Sequence, residues 1–373
     1  MVMGLVALLL SLTAHAQGGN TGIGEAYDAH ESLSRRLLHL EKKNDAFNLY
    51  VNFAGALQAG NEAEGWNAAF RARHLRLEMT GVIHEKLYYR LRHHLERSNA
   101  PLSLERFSQA TDIMMIGWKF SDQWRLYGGK MCQFWGGYEY DENPLYIYQY
   151  SDLLNHMEVF FTGAALAWTP VPTQEFVLNV TNSFTKAYAD TYAGETSLPE
   201  ATRLPLAYIL NWNGSLFDGR LTTRWGGGAI TLARDHYSKM LFLAQKLNLE
   251  RLQWYFDYMG AWEDLDHFLI ASADLGVLQR KVRYQSFVTK ANWQFLPRWN
   301  LMGKGMYERV ATAGAGTYRQ SFGWIGALEF FPMEGQDLRV FLSYTGARRL
   351  IGEAPALTTH RLELGFIYRL KAY

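Results

Sequence analysis

The sequence predicts an all-β chain, an antiparallel transmembrane β-barrel of about sixteen strands. Three observations carry the prediction. From Ala46 onward apolar and polar residues alternate with period two, the signature of a strand with two unlike faces. The connections between these segments are mostly short and long in turn, as expected of hairpins that cross a bilayer. Aromatic residues make up 15% of the chain, with 12 Trp, 22 Tyr and 21 Phe. A soluble sandwich needs fewer Trp and Tyr on its surface, whereas a barrel places them in girdles at two membrane interfaces.

Composition removes other classes. The 373 residues are 48% hydrophobic, yet mean hydropathy is below zero. Beyond the N-terminus no unbroken apolar run reaches the ~18 residues of a membrane helix. A formal net charge of +1 lacks the concentrated basic surface that a nucleic-acid partner requires. With Cys132 as the one cysteine, no intramolecular disulfide forms, so stability rests on a closed hydrogen-bond ladder that leaves no edge in lipid.

At the N-terminus, Val2 to Leu12 is a largely apolar run ending in Ala14-His15-Ala16, a small-x-small cleavage pattern, so residues 1–16 read as a signal peptide. Its n-region carries no Lys or Arg, a departure that suggests a true start further upstream. Residues 17–45 read as a periplasmic leader. Within it Glu31 to Lys43, with Leu33, Leu37, Leu38 and Leu40 among basic residues, fits a short amphipathic helix. Residues 46–373 form the barrel.

In the first barrel segment, 46–58, Phe47, Leu49, Val51 and Phe53 alternate with Asn48, Tyr50, Asn52 and Ala54. The same reading gives strands at 67–81, 83–97, 111–120, 123–133, 157–169, 173–182, 203–212, 217–232, 237–246, 251–261, 282–295, 299–309, 320–331, 336–346 and 358–371. Tight turns are expected at Val82, Ser121-Asp122, Pro170-Val171-Pro172, Asn213-Gly214-Ser215, Leu247 to Glu250, Leu296-Pro297-Arg298 and Pro332 to Gly335. Long connections are expected at 59–66, 98–110, 134–156, 183–202, 262–281, 310–319 and 347–357, with 233–236 the one short slot that breaks the alternation.

If one face of each strand meets lipid, the charges on the other line the lumen. That face gathers Arg76, Lys86, Arg90, Arg92, Arg220, Arg224, Arg251, Lys304, Arg339 and Arg361. Basic residues outnumber acidic ones about two to one there, favouring anions modestly. Glu78, Glu96, Asp257, Glu308 and Glu363 are available as partners that would instead make a neutral wall. The run Met240 to Ala244 is apolar on both faces, which fits a neighbouring subunit, a plug or a folded loop. Gly226-Gly227-Gly228 reads as flexibility near a strand end.

The third long connection opens Phe134-Trp135-Gly136-Gly137-Tyr138-Glu139-Tyr140-Asp141-Glu142-Asn143-Pro144. Its polar groups and aromatic bulk suit an inward fold that narrows a channel. On this reading Trp135, Tyr138, Glu139, Tyr140, Asp141, Glu142 and Asp152 form a constriction loop whose acids face basic strand residues across an eyelet.

These residues also carry a resemblance. Gly128-Gly129-Lys130, the stretch Gly136 to Pro144, Tyr150-Ser151-Asp152 and Gly163 are similar in order to the phosphate-selective porin O and P family, in its Bacteroidota-type branch. Arg71-Ala72-Arg73-His74-Leu75-Arg76-Leu77 followed by Gly81 resembles that family's early Arg-rich strand pair, and Asn182-Ser183-Phe184 its mid-chain segment. The resemblance covers most of the mature chain. It implies a sixteen-stranded barrel in the outer membrane of a Gram-negative bacterium, with short periplasmic turns and long extracellular loops. It further implies a common homotrimeric state, lipid as surroundings, and passage of small polar or anionic solutes such as phosphate. A second reading makes the barrel a plugged docking subunit of a larger membrane complex.

Enzymatic signatures are missing from the sequence. There is no His-Glu-x-x-His, no Gly-x-Ser-x-Gly, no phosphate-cradling Gly-rich loop and no Cys-x-x-Cys. The adjacent His93 and His94 point to opposite faces of a strand and do not chelate together. No cofactor, metal or catalysis is expected.

Overall fold

The structure is a computed structural model that describes residues 46–63, 65–195 and 197–373. The expected signal peptide, 1–16, and leader, 17–45, lie outside the described residues.

Sixteen antiparallel strands close into one barrel. The first eight are β1 (Asn48–Ala63), β2 (Gly65–Ile83), β3 (Leu87–His94), β4 (Thr111–Lys119), β5 (Trp124–Cys132), β6 (Phe160–Val171), β7 (Gln174–Asn182) and β8 (Leu206–Leu216). The rest are β9 (Leu221–Ala233), β10 (His236–Asn248), β11 (Leu252–Leu265), β12 (Arg280–Leu296), β13 (Trp299–Thr312), β14 (Gly316–Phe330), β15 (Asp337–Ile351) and β16 (Leu357–Lys371). Each strand pairs with its sequence neighbours, and β1 closes on β16 from Tyr50↔Lys371 to Gly60↔Arg361. Closure gives every strand two partners, so no row of backbone donors faces lipid. Among the described residues no helix is long and apolar enough to cross a membrane.

Alternation sorts the side chains as the period-two pattern predicts. On β11 Gln253, Tyr255 and Asp257 are buried inward, while Trp254 and Phe256 are exposed outward. Outward apolar residues such as Ile116, Leu178, Leu210, Leu301 and Leu364 make the lipid face. Aromatic pairs collect near the periplasmic turns: Trp118 with Phe120 at 5.5 Å, Trp124 with Trp168 at 5.8 Å and Trp299 with Phe330 at 4.7 Å. A second row, Tyr258, Phe287, Tyr307 and Phe322, lies toward the opposite rim, with centroids 5.0–6.2 Å apart.

Several connections differ from the sequence expectation. The segment 59–66 is not a long loop: β1 and β2 run on as a hairpin, with Gly60↔Asn67 and Ala63↔Gly65 paired. The expected loops 310–319 and 347–357 likewise shrink to turns at 313–315 and 352–356. Gly, Ala and Glu look like loop residues, but pairing to a neighbouring strand outweighs so small a propensity difference. The turn expected at Asn213-Gly214-Ser215 lies inside β8; reversal comes at Phe217-Asp218-Gly219, all with positive φ. The turn placed at Val82 falls at 84–86, with His84 and Glu85 at φ 52° and 58° and no glycine to mark it. Long loops remain at 95–110, 133–159, 183–205 and 266–279.

Candidate functional site

The third loop, L3 (133–159), folds into the lumen and holds a short helix α1 (Tyr138–Asp141), a 3-10 turn (Pro144–Tyr146) and a second short helix α2 (Asp152–His156). Gly136 and Gly137, at φ 92° and 85°, turn the chain inward. The wall opposite is cut to receive it. A Cβ on Gly226 would stand 1.9 Å from the Trp135 carbonyl oxygen, so Gly226 provides close approach for L3 rather than strand-end flexibility. Gly226→Ala should therefore undock L3 at Trp135, seen as new protease cleavage within 133–159 in a barrel that still assembles.

Trp135 is fully buried and stacks on Phe242 at 6.0 Å; Tyr140 meets the same ring edge-on at 5.6 Å. This settles the doubly apolar run: Met240 and Phe242 face inward and pack under the folded loop.

Ion pairs then stitch L3 to the wall. Glu139 binds Lys304 at 2.5 Å, Asp141 binds Arg224 and Glu142 binds Lys290. Asp152 binds Arg319 at 2.7 Å and Arg349 at 2.8 Å. Backbone groups are caught as well. Asp257 accepts from the amides of Tyr138 and Glu139 at 2.8 and 2.7 Å, and Glu308 from those of Asp152 and Leu153 at 2.5 and 2.8 Å. Glu308 thus sits at the start of α2, where a carboxylate answers the free amides and the helix dipole. The Tyr138 hydroxyl donates to Thr222 at 2.6 Å. Further along, Tyr146 donates to Asp337 and Tyr148 to Glu329, both acids being held by Arg339. Arg73 and Arg361 donate to the Tyr148 carbonyl at 2.9 and 3.0 Å.

Glu139, Asp141, Glu142 and Asp152 therefore touch the wall cations directly instead of facing them across an eyelet, whereas Glu158 accepts from the Thr185 hydroxyl at 2.9 Å. Between L3 and β10–β12 the remaining void is about 20 Å³, lined by Phe242, Asp257, Met259 and Ser286 among others, room for about one water. On the opposite side a crevice of about 470 Å³ separates L3 from β2–β5. His74, Arg76, His94, Asp112 and Lys130 line its wall, Tyr140, Pro144, Tyr150 and Leu154 its L3 side, and Arg97 and Lys186 its margin.

Charge on this wall is uneven. Arg92 grips Asp112 with two nitrogens at 2.8–3.1 Å, and His94 Nε2 lies 2.7 Å from the same carboxylate. Lys130 pairs with Glu105 at 3.2 Å, and Arg90 with Glu78, which also meets Arg369 at 3.5 Å. Arg76, 4% exposed, has no ion-pair partner among the described residues; it reaches only His74 Nδ1, at 2.7 Å, and its Nε has no hydrogen bond. Within the group Arg76, Arg90, Arg92, Arg369, Glu78 and Asp112 on β2–β4 and β16 the formal charges sum to +2 (4 − 2).

Of the residues read from the sequence, Arg76, Arg90, Arg92, Arg224, Lys304, Arg339 and Arg361 point inward and are buried. Three are corrected. Lys86, Arg220 and Arg251 share the right parity but lie exposed in the turns 84–86, 217–220 and 249–251, because the strands end before reaching them. Trp135, Tyr138, Glu139, Tyr140, Asp141, Glu142 and Asp152 all lie in L3, inside the barrel. The sequence reading missed Arg319 and Arg349, which it had placed in loops, and Lys290, whose alternation with Ser286 and Val288 marks it as inward.

The electrostatics of L3 split by residue. Burial pushes the Asp141 carboxyl up to about 6, even with Arg224 beside it. Burial also raises Asp152, but Arg349 and Arg319 outweigh it and hold that carboxyl well below its usual range. An acid whose pKa is higher when docked than when free favours docking as pH falls, over the window between the two values. Protease resistance of L3 should thus increase between pH 6 and 4, by an amount on the order of 3 kcal/mol at most, and Asp141→Asn should flatten that rise. Below about pH 4 the Asp152 contribution is lost in turn and resistance should fall.

A closed antiparallel barrel with one loop drawn into its lumen is the architecture of an outer-membrane porin. Solved structures share the fold: a trimer form of OmpT from Vibrio cholerae (10% identity, 87% of this chain, 100% of that one, TM-score 0.59), and the channel DcaP of Acinetobacter baumannii (10%, 89% and 99%, 0.58). OmpF of Salmonella typhi, solved with daunomycin, is similar to the same degree (10%, 87% and 97%, 0.59). No curated protein matches the chain in sequence. The profile of the phosphate-selective porin O and P family matches residues 47–370, and the chain belongs to that family. Its place is the outer membrane of a Gram-negative bacterium.

Proposed function

We propose that the barrel passes small anionic solutes by passive diffusion along the crevice between L3 and the β2–β5 wall, without catalysis or cofactor. One observation carries this reading: Glu139, Asp141, Glu142 and Asp152 of L3 are each neutralised by a wall cation, which leaves Glu158, an acceptor for Thr185, as the L3 acid on the crevice, while Arg76 faces it with no ion-pair partner among the described residues. The surplus positive charge then lies on one side of the wide crevice beside L3, where a low-dielectric wall focuses it. Lys86, Arg220 and Arg251 take no part in the lumen. Phosphate is one solute that this charge suits, as the family's description has it.

Purified barrels in planar bilayers under a salt gradient test the proposal. An anion-selective reversal potential is the expected result, and a cation-selective one would overturn it. A plugged docking subunit is the second reading, favoured by how completely L3 is stitched; an intact barrel without conductance would establish it. The assembly proposed is a homotrimer, as one solved structure of similar fold is described, and cross-linking in native membranes should give a band of three chains.

A further inference from the structure

Four cations stand on the outward face of the barrel toward its extracellular rim: Lys281 and Arg283 on β12, Arg309 on β13 and Arg348 on β15, all exposed. Alternation fixes their direction, since Val282, Tyr284 and Val310 beside them are buried inward. Strand register brings them into one band: Gln285 pairs with Arg309, Arg309 with Gln320, and Phe322 with Arg348. Lys281, Arg283 and Arg309 line a groove of about 410 Å³ with Gln285, Thr312 and Thr317.

These cations differ from those inside. None forms an ion pair among the described residues, and the one side-chain bond in the group is from Arg309 to Thr317 Oγ1, at 2.8 Å. One step toward the bilayer midplane lies the aromatic row Phe287, Tyr307 and Phe322. Arg283 stands opposite Ala311 and so lies diagonal to Arg309 across the β12–β13 pair, about 7–8 Å away, a span that two long side chains close around one phosphate.

We infer that this face binds the phosphate-bearing headgroup of an anionic lipid of the outer leaflet. The headgroup sits between Lys281, Arg283 and Arg309, and the acyl chains lie along Phe287, Phe322 and Trp324 below. Charge complementarity supplies the polar half of the site, and continuity with the lipid-facing aromatic wall supplies the apolar half, which free phosphate would not use. The inference rests on the orientation of the barrel and not on which solute passes through it.

The full chain, extracted gently from outer membranes, should retain phosphate-bearing lipid, measured by mass spectrometry and total phosphorus. Lys281→Gln/Arg283→Gln/Arg309→Gln should lower retention about a hundredfold, roughly fivefold per cation, with unchanged conductance. Should that variant fail to assemble, Arg283→Gln alone should lower retention about fivefold. In vesicles, wild-type barrels should melt higher when phosphorylated anionic lipid replaces zwitterionic lipid, and the variants should lose that difference. Equal retention by wild type and variants would overturn the inference. Displacement of the lipid by millimolar inorganic phosphate would also overturn it, by making the groove a free-anion site.

Discussion

Arg76→Glu should convert the channel from anion-selective to cation-selective. At an effective dielectric of ~20 and a separation of ~8 Å, a unit charge is worth about 2 kcal/mol to a passing monovalent ion. Reversal replaces an attraction by a repulsion of the same size, and salt in the crevice screens part of it. The anion-to-cation permeability ratio should therefore fall by about tenfold to a hundredfold, with Arg76→Gln giving about half that change on a logarithmic scale. The effect is large because Asp112 is bonded to Arg92 and His94 and reaches Arg76 only through space. A substitution at Arg361, which already meets Glu363 at 3.2 Å, should shift the ratio much less.

Lys304→Ala should release the third loop while leaving the barrel closed. Lys304 holds both the Glu139 carboxylate and the Gln149 carbonyl, at 2.5 and 2.7 Å. Without it Glu139 keeps only Ser151, and a buried charge stripped of its partner costs about 3–5 kcal/mol. The strand ladder does not pass through this contact, so the cost falls on the docked loop. Conductance should rise and become noisy, and protease should cut within 133–159. Lys304→Ala/Glu139→Ala should recover much of the docking, since both charges are then gone.

Much of this was written in the sequence, and the parts that were not have physical reasons. The period-two pattern revealed which face each residue takes, because alternation is a property of the strand alone. It placed Arg76, Arg90, Arg92 and Arg224 correctly. It did not reveal where strands stop, since length is set by pairing with a neighbour: hence Lys86, Arg220 and Arg251 were drawn into strands, while Arg319 and Arg349 were left in loops. Asp218-Gly219 carried a readable turn signal, but Asn213-Gly214 carried one as good. L3 was identifiable as an inward loop from its aromatic and acidic content. Its acidity nonetheless pointed to an acidic eyelet. Only the long-range pairs Glu139 with Lys304, Glu142 with Lys290 and Asp152 with Arg319 show those charges consumed in holding the loop. That consumption turns the acidic loop from an obstacle to anions into a partition that leaves a basic wall free.

Cysteine accessibility tests this partition most directly. In a Cys132→Ala background, His74→Cys stands in the wide crevice and Ser286→Cys in the small void behind L3. A bulky thiol reagent added during recording should block current through the His74→Cys channel and leave the Ser286→Cys channel unchanged. Block at Ser286→Cys with none at His74→Cys would place the conducting path on the other side of the loop and contradict the account.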